Sequence, residues 1–157
     1  MFALRRTGLQ TLKRTYANEA AASDVLKLQF ALPYNVLYQN QAVKQVNLPL
    51  QSGRAGILPN HVPIVEQLSA GIVEVFEKDA TAAGKKYFVS SGFASVQPDS
   101  TLNITCAEAF ELSEFDLSKV QSLKNEAEKN LTSSDEVVAT DAKIQFDLLT
   151  TLENELK

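Results

Sequence analysis

Up to Phe110 the apolar residues of this chain recur mostly at period two, and beyond it they recur at three- and four-residue spacing. That change of period constrains the fold more than any other feature, because a two-residue repeat suits a pleated strand and a 3.6-residue repeat suits a helix. Leu26, Leu28, Phe30 and Leu32 alternate with Lys27, Gln29 and Ala31 before Pro33 ends the run. Short apolar segments follow at Val36–Tyr38, Val43–Leu48 and Ala55–Leu58, with Asn40-Gln41 and Ser52-Gly53 read as separators. Ile72–Glu77, Lys86–Ser90, Phe93–Gln97 and the alternating Leu102, Ile104 and Cys106 continue the pattern, across a polar turn at Lys78–Gly84 and turns at Ser91-Gly92 and Pro98-Asp99. About eight to ten short strands so punctuated predict a β-sandwich over residues 24–110.

Past that point Asp116 is placed to cap a helix bearing Leu117, Val120, Leu123, Ala127 and Leu131. Ser133-Ser134-Asp135-Glu136 reads as a capping box opening a second helix, with Val138, Ala142, Leu149, Leu152 and Leu156 on one stripe. A link of a few residues makes the pair antiparallel. The expected fold class is therefore mixed, β then α: a sandwich followed by a two-helix hairpin over residues 114–157. Val137, Val138 and three threonines weaken the second helix, which then depends on packing.

The first sixteen residues stand apart in charge. They hold Arg5, Arg6, Lys13 and Arg14 and no acid, with Phe2, Leu4, Leu9 and Leu12 mostly on one helical face. This composition predicts a mitochondrial transit peptide over residues 1–16, unstructured to about residue 22, with Arg14 three residues before Ala17 at the processing site. A disordered or nucleic-acid-binding arm is the alternative. The remaining residues carry a net charge of −8, which argues against nucleic acid as a partner.

Catalytic side chains are scarce. One His and one Cys exclude a disulfide framework and an all-protein zinc site, and no stretch of ~20 apolar residues is present to span a bilayer. His61 lies between Pro59 and Pro63 with no nucleophile motif near it, which suits a hydrogen-bonded loop residue or a surface contact. Cys106 shares a strand face with Leu102 and Ile104, as a buried structural thiol would. Gly53-Arg54-Ala55-Gly56 matches the G-x-x-G of nucleic-acid-binding KH loops, but its flanks are extended rather than helical. No phosphate-binding loop motif occurs. These residues imply no cofactor, no metal and no catalytic group: a part rather than an enzyme.

The blocks Gly56-Ile57-Leu58-Pro59-Asn60-His61-Val62-Pro63, Gln67-Leu68 and Gly71-Ile72-Val73-Glu74-Val75 closely resemble the signature of the small rotor subunit of F-type ATP synthases. That family is called epsilon in bacteria and delta in mitochondria. Phe88-Val89-Ser90-Ser91-Gly92-Phe93-Ala94, Gln97-Pro98-Asp99-Ser100 and Glu108-Ala109-Phe110 follow in the family's order. Leu26–Pro33 and Gln45-Val46-Asn47-Leu48-Pro49 look like the fungal mitochondrial form, and the resemblance spans roughly residues 24–157.

It implies a non-catalytic part of the central stalk, peripheral to the inner membrane on the matrix side. The implied partners are the gamma subunit, the mitochondrial epsilon subunit and the ring of c subunits, in a large hetero-oligomer that transmits rotation. The turn at Ser52, Gly53 and Arg54 corresponds to the family loop that meets the ring, and His61 lies on the neighbouring loop. Arg54, often acidic in bacterial relatives, is either a ring contact or a solvated side chain. Two departures stand out. Asn125–Lys129 lacks the Asp-x-x-Arg-Ala motif with which some bacterial relatives bind ATP. From Asp135 on, only Lys143 and Lys157 oppose six acids, unlike the basic inhibitory helix of bacteria. The expectation is a hairpin that stays folded, without ATP sensing. From the residues alone, a free-standing ligand-binding or regulatory sandwich is the alternative.

Overall fold

The computed structural model of the chain describes residues 24–78 and 83–157. The leader read at residues 1–16 and the middle of the turn before Lys85 lie outside the described residues. The strands are β1 (Leu26–Ala31), β2 (Val36–Val43), β3 (Gln45–Leu50), β4 (Gly53–Ile57), β5 (Ile64–Leu68), β6 (Gly71–Phe76), β7 (Lys85–Val89), β8 (Gly92–Val96), β9 (Thr101–Cys106) and β10 (Ala109–Glu111). A 3-10 turn at Leu112–Glu114 leads to α1 (Leu117–Asn130) and α2 (Glu136–Leu156).

Hydrogen bonding links the strands in the order β10-β7-β6-β3-β5-β8-β9-β1-β2, with β4 paired to β3. All pairs are antiparallel except β1 with β9. β3 belongs to both layers of the sandwich: Gln45, Val46 and Asn47 pair with β6, and Leu50 pairs with Leu68 of β5. Between the layers Leu26, Leu28, Phe30, Val46, Leu48, Ile57, Val73, Leu102 and Ile104 are buried completely or nearly so. The alternation that predicted β1 is thus the alternation between core and surface.

Two local readings are corrected. Asn40-Gln41 does not separate strands but lies within β2. Leu28 faces Gln41 while Phe30 faces Tyr38, so two steps along β1 match three along β2. Asn40 absorbs this bulge at φ 49°, a left-handed conformation that Asn tolerates. Secondly, Ile64–Leu68 forms a strand that the period-two reading passed over. Ile64 is half-buried and Leu68 buried, but Val65 points outward and is 73% exposed, which breaks the alternation.

The helical hairpin packs on the outer face of β6 and β7. Ile72 and Phe88 from the sheet, Val120 from α1 and Leu152 from α2 form a second buried cluster, flanked by Phe115, Leu149 and Leu156. Val120 near the start of α1 meets Leu152 near the end of α2, so the helices run antiparallel. Asp116 caps α1 as expected, accepting from the Ser118 amide at 2.8 Å. The second cap is corrected: it is Asp135, accepting from the Val137 amide at 3.0 Å, while Ser133 accepts from the Asp135 amide at 3.3 Å. Glu136 is then the first helical residue and cannot reach back as a capping box requires. Val138, placed on the stripe of the second helix, and Leu117 and Leu123, among the periodic apolar residues of the first, are exposed.

Candidate functional site

The residues singled out by sequence fall at the two ends of β4: Ser52, Gly53 and Arg54 at its start and His61 beyond its end. Leu50 pairs with Gly53 across the β3–β4 turn, which leaves Gln51 and Ser52 at its tip. Gly53 adopts φ 131°, a conformation L side chains rarely take, with open space around its Cα. The Gln51 amide donates to the Gln67 carbonyl at 2.9 Å and the Ser69 amide to the Pro49 carbonyl at 2.8 Å, so the turn is tied to β5. Ser52, Gly53 and Arg54 are all exposed. Arg54 stands on β4 opposite Pro49, one residue past the turn, and its guanidinium forms an ion pair with Glu155 near the end of α2. The pair ties the hairpin to the sandwich.

His61 lies beyond the far end of β4, in the loop to β5, where its amide donates to the Leu58 carbonyl at 3.2 Å. Its Nδ1–H, in the tautomer that matches a carbonyl acceptor, donates to Val62 O at 2.8 Å. This loop is clamped to the β8–β9 turn. The Asn60 amide donates to Ser100 Oγ at 2.9 Å, the Ser100 hydroxyl donates to Asn60 Oδ1 at 3.3 Å, and both residues sit at φ 60°. Leu58 and Val62 flank His61 with their side chains in solvent.

Sequence reasoning did not find which apolar residues lie outside. Val65 on β5 and Phe93 on β8, exposed on neighbouring strands, join Leu58 and Val62 as apolar surface on the sandwich. One signal for Val65 existed: three apolar positions in Ile-Val-Glu-Gln-Leu do not fit period two, so one of them must face out.

Cys106 is buried, and desolvation pushes its thiol up to about 11, so it stays protonated at neutral pH. Among the described residues, no three His, Cys, Asp or Glu side chains group as a metal site, and no helix is long and apolar enough to cross a membrane.

The most strongly held charge lies in the hairpin. Glu153, 8% exposed, accepts from Lys124 Nζ at 2.8 Å, Lys157 Nζ at 2.7 Å and Gln121 Nε2 at 3.3 Å. The Lys124 and Lys157 bonds, against the cost of burial, hold its carboxyl at about 2, below the ordinary 4.5. A depressed folded value makes this contribution to stability full above about pH 4.5, lost progressively as pH falls towards 2. Glu153→Gln is therefore expected to shrink the loss of hairpin stability between pH 5 and pH 3 in urea titrations followed by helical circular dichroism. Equal losses in the variant and the parent would show that the cluster does not hold the hairpin.

Comparison with known proteins follows the same two-part division. The family model described as "ATP synthase, Delta/Epsilon chain, beta-sandwich domain" matches residues 25–111. That described as "Fungal epsilon subunit of F1F0-ATP synthase C-terminal domain" matches residues 115–154. The mitochondrial ATP synthase subunit delta of Eremothecium gossypii is 53% identical over 155 residues, covering 99% of this chain and 95% of the relative. That of Kluyveromyces lactis is 56% identical over 145 residues, covering 92% and 88%. Among solved structures, a chain of the Euglena gracilis mitochondrial ATP synthase (OSCP/F1/c-ring) superimposes with a TM-score of 0.79 at 24% identity, over 99% of this chain and 91% of that one, a likeness of fold. With a family model over more than half its length and relatives more than half identical nearly end to end, this chain belongs to the delta/epsilon family of ATP synthase subunits, alongside the fungal mitochondrial delta subunits.

Proposed function

We propose that this chain is a non-catalytic central-stalk subunit of the mitochondrial proton-translocating ATP synthase, coupling rotation of the c-ring to the gamma subunit and the catalytic head. The observation that carries the reading is identity above 50% to mitochondrial delta subunits over nearly the whole chain, both parts included. Close packing supports it, since a part that transmits rotation must be stiff and a dense core is nearly incompressible. Its partners are gamma, the mitochondrial epsilon subunit and the c-ring, and it works on the matrix side of the inner membrane after losing a leader at residues 1–16. The sandwich over residues 24–110 and the hairpin over residues 114–157 act as separate domains in this scheme. No residue of its own performs chemistry. A free-standing ligand-binding module, the alternative from residues alone, falls away with membership of the family.

The direct test is a native gel of gently solubilised mitochondria. The polypeptide is expected to migrate with ATPase activity in one very large complex, and a monomeric band alone would overturn the proposal.

Ser52, Gly53, Arg54 and His61 form the ring-facing side in this reading. Arg54 already has a carboxylate partner in Glu155, so a ring carboxylate must share or replace it. Two variants separate the roles. Arg54→Glu is expected to lower proton-driven ATP synthesis with less than about 1 kcal/mol of lost stability, because this pair is largely exposed on the Arg54 side. Glu155→Gln removes the intramolecular pair alone and is expected to leave synthesis unchanged. Equal synthesis in both variants and the parent would make Arg54 purely a link between sheet and hairpin.

A further inference from the structure

The hydrogen-bonded path of the sheet has two ends, β2 and β10, and among the described residues neither pairs with the other. Each end strand presents one backbone edge outside any ladder, the arrangement that invites another strand. Between these edges lies a groove of about 520 Å3. Its walls come from the β1–β2 turn and the first residues of β2 on one side, and from β10 and Glu114 on the other. Tyr87 reaches it from below and meets Tyr38 edge-on, with ring centroids 6.0 Å apart and hydroxyls 3.3 Å apart. The seam is thus bridged by buried tyrosines underneath and left open above.

Three apolar or aromatic side chains stand exposed around this opening: Tyr34 (66%), Val36 (50%) and Phe110 (42%). The charged residues lining it, Glu111 and Glu114, are both acids. We infer that this seam receives an extended segment of another subunit, which adds as a strand along the free edge of β2. Its apolar side chains rest on Tyr34, Val36 and Phe110, and a Lys or Arg sits beside Glu111 and Glu114. An extended segment fits better than a helix. Strands lie ~4.8 Å from their neighbours and consume edge amides and carbonyls, whereas a helix ~10 Å across satisfies its own backbone and leaves both edges bare. Successive side chains of such a segment point alternately in and out, so apolar residues two apart with a basic residue in step are the expected recognition pattern. The inference rests on the chain being one subunit of a larger assembly.

Amide hydrogen exchange resolved to single residues tests it, comparing the purified chain with the purified ATPase complex that contains it. On assembly, every second amide between Val36 and Val43 is expected to slow by roughly 100-fold, the other half being held by β1 already. Photo-crosslinking from a benzoylphenylalanine placed at Tyr34 is expected to reach one short segment of a different subunit that carries Lys or Arg. Val36→Asp is expected to abolish that crosslink while the isolated chain melts as before. Unchanged β2 exchange in a complex that still contains the chain overturns the added strand and leaves the stalk assignment standing. Uniform slowing without the two-residue pattern means a helix or loop covers the seam, and a crosslink to a second copy means self-association; either overturns it. A chain that fails to migrate with the complex overturns the assignment and the inference together.

Discussion

Gly92→Ala is expected to cost about 3 kcal/mol or more, a large share of the ~5–15 kcal/mol that holds an ordinary domain folded. Gly92 begins β8, between Leu68 of β5 and Cys106 of β9. A Cβ there would stand 2.1 Å from the Thr105 carbonyl oxygen, 2.9 Å from Cys106 Cα and 3.0 Å from the Thr105 carbonyl carbon. All three atoms are backbone, so relief requires β8 and β9 to separate rather than a side chain to turn. That pairing runs from Gly92 to Val96 through one whole layer. At Gly53 the same substitution meets no atom within 4 Å, and only the unfavourable φ of 131° is charged against it, of order 1–3 kcal/mol. Urea unfolding of the purified chain checks the ranking. A Gly92→Ala midpoint close to the parent's would mean that the two strands can part at little cost.

The second large effect is confined to one half of the molecule. Leu152→Asp is expected to release the helical hairpin while the sandwich stays folded. Leu152, 4% exposed, packs with Ile72, Phe88 and Val120, and a carboxylate there would be buried among apolar side chains. Such burial costs several kcal/mol unless the group is neutralised or reaches water, and undocking supplies the water. The core between the layers shares no residue with this cluster, so its packing is left intact. Exchange of α1 and α2 amides is expected to accelerate by two to three orders of magnitude, with those of β1 and β9 unchanged. Phe88→Ala, which leaves a cavity without adding charge, should act in the same direction with a smaller effect. Acceleration spread evenly over strands and helices would show that the two halves unfold as one.

What could be read from the chain depended on how local each cause was. Leu26, Leu28 and Phe30 announced β1 because core and solvent alternate across a sheet only one residue thick. Asp116 announced its helix because a cap is settled within three residues. At the second helix Ser133 and Asp135 both had suitable oxygens, and only the backbone path decided between them. Ile64–Leu68 was obscured by Val65, an apolar residue turned to the outside of the fold. Glu153 reads in sequence as one more acid on a solvated helix, and its burial depends on Lys124 in a different helix. The pairing of Arg54 with Glu155 joins residues 101 positions apart and leaves no local mark. The seam between β2 and β10 is equally invisible, since unpaired edges belong to the topology rather than to any residue.

The double membership of β3 bears on how the molecule responds to load. Two layers held together by side chains alone can creep past each other under a sustained twist, as stacked cards do. Here one continuous strand is laddered to β6 at Val46 and to β5 at Leu50, four residues apart. Sliding one layer over the other must therefore stretch covalent backbone or break one of these ladders. Such a joint stores deformation elastically and gives it back, instead of dissipating it as slip with every turn.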